Sequence, residues 1–160
     1  VAGNQTVEKV TDNALRVLAA AGLQHVEVVA GATKPLLRPA PLLCPEIHGE
    51  SGLDGPLGGP VLPPAPHAAL PGKAPVVMFE RISAAHRRLV ANGSSSSNNS
   101  SSGGGDGASP RVQLVATAAL TNVALLLALY PEAAHMIEAG GWLAGHGMID
   151  WQVGGWALRD

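Results

Sequence analysis

Eleven of the 13 prolines fall within residues 32–75. Each proline removes a backbone donor and fixes φ, so neither a long helix nor a central strand can run through that stretch. A compact domain rarely carries a loop this long unless the loop has a task or is disordered. Regular elements are therefore expected on either side of it. Before it, Val7, Val10, Ala14, Val17, Leu18 and Ala21 recur at spacings of one, three and four. That places them on one stripe of an amphipathic helix over residues 6–21. Thr6 is a fair N-cap, Glu8 sits in the first turn where the helix dipole favours an anion, and Gly22 is placed to end the helix. The stretch "HVEVVAG", residues 25–31, then reads as a short strand stopped by Gly31.

After the loop, helical spacing returns over residues 75–91 through Val76, Phe79, Ile82, Ala85 and Leu89, with Pro75 at the first helical position. The run "SSSSNNSSSGGGDG" follows. It has too little apolar surface to offset its ordering entropy, so residues 94–109 are expected to be a disordered insertion. Such a spacer costs little, because closure entropy grows only logarithmically with length. Beyond Pro110 come a strand, "VQLVAT", and a helix beginning near Leu120. Helices alternating with strands predict an α/β fold, a Rossmann-like open, mainly parallel sheet with crossover helices. At 160 residues the chain fits one domain, residues 1–160.

Composition narrows the function. Hydrophobic residues make up 46% of the chain and aromatics only 3%, so the core is expected to be aliphatic. With a net charge of −2 and no basic stripe, nucleic-acid binding has no electrostatic footprint. Cys44 is the one cysteine, so no intrachain disulfide can form and a reducing, cytoplasmic setting is expected. The opening "VAGNQTVEKV" has neither a basic region nor an apolar core, and it does not read as a signal peptide. Residues 112–130 form a 19-residue run without charge, near the length of a membrane span. Gln113, Thr117, Thr121 and Asn122 punctuate it, and a buried strand, a turn and a helix account for it better than a span.

In a parallel α/β sheet, ligands gather beyond the carboxyl ends of the strands. Three segments sit at such ends: "VAGN" with Asn4, the loop "HGESGLDG", and "ATAALTN". Together with "VAGNQTVEKVTDNALRVLAAAG", "VVAGATKPLLRP", "EIHGESGLDG" and "VQLVATAALTNVALLLAL", in that order, they resemble the inosine–uridine-preferring nucleoside hydrolase family. The resemblance implies an open α/β sheet and an enzyme that hydrolyses the N-glycosidic bond of ribonucleosides to ribose and free base. It also implies Ca2+, held by an aspartate cluster, which binds the ribose diol and the attacking water. Homo-oligomers are common in the family. A hard cation suits carboxylate and carbonyl oxygens, and it lowers the pKa of the water it holds.

Roles carry over from the resemblance to three residues. Asn4 matches an asparagine that contacts the ribose, although composition alone makes it a turn residue. Thr117 matches a residue whose main-chain carbonyl binds the metal. The family has glycine, then glycine or proline, after that threonine, whereas Ala118 and Ala119 follow here. His48 matches a histidine near the leaving base in one subgroup, where it donates a proton; the plain alternative is a solvent-facing loop histidine. Glu46, Glu50 and Asp54 match no family role and read as solvated. Histidines 25, 67, 86, 135 and 146 show no metal-ligand spacing.

The family's DxDxxxDD cluster is not found within these 160 residues, and Asp12, Asp54, Asp106, Asp150 and Asp160 are scattered. Residues 131–160 depart from the family pattern and form a divergent C-terminal segment. The expectation is a partial hydrolase domain, inert and poorly stable alone, which does not bind Ca2+ tightly by itself. A non-catalytic remnant that binds nucleosides or a partner chain is the alternative.

Overall fold

The computed structural model describes residues 5–54, 62–95, 110–117 and 119–139. The first helix, α1 (Val7–Ala20), begins where the local signals place it. The Thr6 hydroxyl accepts from the Lys9 amide at 3.5 Å. Hydrogen bonds from the main chain and from Thr6 hold the Glu8 carboxyl below the usual glutamate range. At the other end Gly22 takes φ +73. Its amide bonds to Ala19 O at 3.1 Å and the Leu23 amide to Leu18 O at 2.8 Å. This pair of bonds closes the helix on its own orphan carbonyls.

The apolar stripe of α1 is only partly used. Val7 and Leu15 are buried, whereas Val17 is 47% exposed. Glu50, Ser51 and Leu62 engage the polar face of the helix instead, and none of the described residues buries Val17. The strand expected at residues 25–31 is also corrected. Among the described residues of that stretch only Val29 pairs, in a single parallel bridge to Leu70, with the Leu70 amide on Val28 O at 2.7 Å. Gly72, two residues beyond Leu70, takes φ +116.

The described residues between 32 and 73 are irregular except for one helical turn, α2 (Pro45–His48), which is too short to leave a period in the sequence. The long helix α3 (Ala74–Ser95) starts one residue earlier than expected. It also takes in Ser94 and Ser95, the first two residues assigned to the insertion, while residues 96–109 lie outside the described residues. Then come β1 (Val112–Leu114), α4 (Thr121–Leu129), α5 (Ala133–Met136) and β2 (Ile137–Ala139). The strand β1 is shorter than the "VQLVAT" reading. It pairs in parallel with β2, Val112 opposite Ile137 and Leu114 opposite Ala139. Parallel strands need a crossover connection, and α4 with α5 provides it.

The core lies where this unit meets α3. Ile82, Leu126, Ala133 and Ile137 form the buried cluster, with Met78, Phe79, Leu114, Leu127, Tyr130 and Met136 packed around it. The Phe79 and Tyr130 rings stack with centroids 4.1 Å apart and planes 4° from parallel. The run from 112 to 130 thus holds a strand and a helix rather than one continuous span, and among the described residues no helix is long and apolar enough to cross a membrane. The architecture is α/β with a small parallel sheet.

Candidate functional site

The loop that carries His48 is built by α2 and two glycines. The amides of Ile47 and His48 both reach Cys44 O, at 3.1 and 3.0 Å, and the Gly49 amide closes the turn on Pro45 O at 2.8 Å. Gly49 then takes φ 72 and ψ 179. That combination is essentially confined to glycine, because any Cβ meets the backbone there. It ends α2 directly after His48, which is half-buried, and leads the chain along α1.

Three side chains of the N-terminal segment receive it. Gln5 Nε2 donates to Gly49 O at 3.0 Å. Lys9 Nζ donates to Glu50 O and lies 3.5 Å from the Glu50 carboxylate. Asn13 Nδ2 donates to Ser51 O at 2.8 Å. One further turn along, Arg16 donates to Leu62 O at 3.1 Å while pairing with Asp12 at 2.7 Å. Lys9 and Asn13 are four apart and share one face of α1, and Gln5 precedes the N-cap Thr6. Gln5 is only 3% exposed.

Close approach fixes the next residue too. Gly52 has φ +90, and a Cβ there would lie 3.1 Å from Gln5 Cγ and 3.3 Å from Asn13 Nδ2. Inside the loop, Asp54 Oδ2 accepts from the Ser51 amide at 3.3 Å, and Ser51 Oγ accepts from the Leu53 amide at 3.2 Å. Asp54 therefore closes a turn instead of standing free in solvent, whereas the side chain of Glu50 is 90% exposed.

A second junction joins the other two blocks. Asn122 Oδ1, at the start of α4, accepts from the Ala32 amide at 2.9 Å. Thr117 is exposed, between β1 and α4. Asn4 lies outside the described residues, as do Ala118 and His146. His25 and His135 are exposed, and His67 and His86 each bury Nε2 without a hydrogen-bond partner. A cavity of about 200 Å3 is lined by Glu27, Val29, Leu70, Val77, Met78, Arg81, Ile82 and Leu114, and it contains none of the expected site residues. Beside it Arg81 clasps Glu27 through two bonds of 2.6 and 2.9 Å, which hold the Glu27 carboxyl below its ordinary range.

Among the described residues no group of three or more His, Cys, Asp or Glu side chains could hold a metal. The Thr117 carbonyl would supply one of the roughly six to eight oxygens that Ca2+ takes. Sequence reasoning also missed Gln5, Lys9 and Asn13. Their fourfold spacing away from the apolar stripe was legible, but such a face is ordinarily solvated.

Comparison with known proteins places the chain in a family. The family model described as inosine-uridine preferring nucleoside hydrolase matches residues 1–148. A probable ribonucleoside hydrolase of Dictyostelium discoideum is 39% identical over 141 residues, covering 86% of this chain and 36% of that protein. A pyrimidine-specific ribonucleoside hydrolase of Shewanella woodyi is 37% identical over 137 residues, covering 86% of this chain and 35% of its own length. The chain thus spans about a third of the length of these relatives. Among solved structures, a purine-preferring ribonucleoside hydrolase from Gardnerella vaginalis superposes with a TM-score of 0.63 at 19% identity, over 87% of this chain and 37% of that one. A plant nucleoside hydrolase superposes with a TM-score of 0.56 at 20% identity, over 86% of this chain and 35% of that one.

Proposed function

The chain belongs to the inosine-uridine preferring nucleoside hydrolase family, and from that premise we propose that it forms the ribose- and base-facing part of a ribonucleoside N-glycosidase. The reaction breaks the bond between C1′ and the base nitrogen and forms a bond from C1′ to a water oxygen. Asn4 binds ribose hydroxyls, since its amide both donates and accepts. His48 donates a proton to the departing base. Thr117 presents its carbonyl to Ca2+. The carboxylates that complete that centre, and the base that takes the water's proton, come from outside these 160 residues. The fold is then one part of a larger open parallel sheet, in a cytoplasmic homo-oligomer.

The observation that carries the reading is the 3.0 Å bond from Gln5 to Gly49. Gly49 directly follows His48, so the bond ties the N-terminal segment to the His48 loop across 44 residues of sequence. Exposed apolar side chains support a larger fold: Leu37 is 98% exposed, Val115 64% and Leu129 60%. The relatives named above differ between purine and pyrimidine ribonucleosides, so the substrate class proposed is the ribonucleoside.

Reducing-sugar release from inosine and uridine with added Ca2+ tests the proposal. A full-length hydrolase carrying both these residues and the aspartate cluster is expected to release ribose, and to lose most of that rate on His48→Ala or Asn4→Ala. A full-length protein that binds nucleosides without cleaving them would overturn the enzymatic reading.

A further inference from the structure

Resting on that reading, we propose that Gln5, Lys9 and Asn13 are positioning residues, which set the place of His48 by holding the three main-chain carbonyls that follow it. Two donors, Lys9 and Asn13, lie one turn apart on α1 and the third, Gln5, just before its N-cap, and the acceptors are three consecutive carbonyls, at residues 49, 50 and 51. The contact therefore reads the backbone of the loop, and the exposed Glu50 carboxylate adds a side chain to it, at 3.5 Å from Lys9. Gln5 is buried, and a buried amide left without its partner is costly, so its bond to Gly49 resists opening. Gly52 shows that helix and loop touch, since the space a Cβ would need is filled by Gln5 and Asn13. The first carbonyl held is that of Gly49, the residue directly after His48, so the path from clamp to His48 is one residue long. Loosening the clamp should misplace the imidazole without touching it.

The test uses the full-length hydrolase. Asn13→Asp keeps the shape but replaces the donor with an acceptor facing the Ser51 carbonyl. Lys9→Met keeps the stem and loses the donor, and Lys9→Arg restores it. Amide exchange over residues 46–54 should accelerate roughly tenfold in the first two variants, the worth of one or two such bonds. Exchange in α3 should not change, and Lys9→Arg should recover most of the protection. For ribose release, kcat should fall with KM little altered, and Asn13→Asp should add nothing to the loss already caused by His48→Ala.

Unchanged exchange in the loop, or an additive loss in the His48→Ala background, would overturn the proposal. If Asn13→Asp does not fold, the Lys9→Met and Lys9→Arg pair carries the same comparison. A wild-type protein without hydrolase activity would refute the enzymatic reading alone, and the exchange measurement would still decide whether the clamp holds the loop.

Discussion

Gly52→Ala tests the contact between α1 and the His48 loop without removing any polar group. Two costs follow from the geometry. The first is backbone strain: Gly52 sits at φ +90, where a residue with a Cβ is disfavoured by about 1–3 kcal/mol. The second is displacement. The new Cβ would lie 3.1 Å from Gln5 Cγ and 3.3 Å from Asn13 Nδ2, so both side chains must shift. That weakens their bonds to Gly49 O and Ser51 O, each worth about 0.5–1.5 kcal/mol. Together the costs come to about 2–6 kcal/mol. Gly22→Ala is the matched control, because Gly22 has φ +73 but nothing within 4 Å of the place its Cβ would take. It carries the backbone cost alone. Hydrogen exchange of residues 5–16 and 49–54, followed by mass spectrometry, separates the two. Gly52→Ala should lose roughly five- to 150-fold more protection in these segments than Gly22→Ala, since the two weakened bonds add about 1–3 kcal/mol and about 1.4 kcal/mol is a factor of ten. Equal losses would refute the claim that helix and loop are in direct, stabilising contact.

Two other outcomes are expected. Leu126 is fully buried at the centre of the core, so Leu126→Ala should destabilise the unit of α3, α4 and the two strands by about 2–5 kcal/mol in urea unfolding. Glu27 titrates below its ordinary value because Arg81 bonds to it, so the pair stabilises the fold above the unfolded glutamate value of about 4.3. That contribution is lost as pH falls through the lower folded value. Glu27→Gln should therefore flatten the acid side of a stability–pH profile, by a small amount that shrinks further in salt, because the pair is exposed.

How much of the fold and site was legible depended on the range of the interactions. The ends of α1 were readable because the Thr6 cap and the Gly22 stop act within a few residues. The Pro-rich loop was readable as a break in pattern, but α2 inside it was too short to show a period. The strand at residues 25–31 was misjudged, because a strand exists only through its partner and here the partner supplies one bridge. The stripe on α1 named Val17 as core, yet burial depends on what lies opposite, and the loop docks on the other face. The four ordered sequence blocks identified the family. They did not disclose how the blocks hold one another. The Gln5–Gly49 and Ala32–Asn122 bonds span 44 and 90 residues, and no local rule pairs residues at such distances.

The proposed function gives these residues the substrate-facing loops and leaves the metal centre to carboxylates outside them, and that division can be measured. Lost activity could arise in several ways, whereas metal affinity isolates the carboxylates. Calorimetric titration of the 160-residue chain with Ca2+ is the most direct measurement. No saturable binding is expected below millimolar Ca2+, because one carbonyl without a carboxylate cluster cannot desolvate a hard divalent ion. Stoichiometric binding at micromolar Ca2+ would contradict that division of roles.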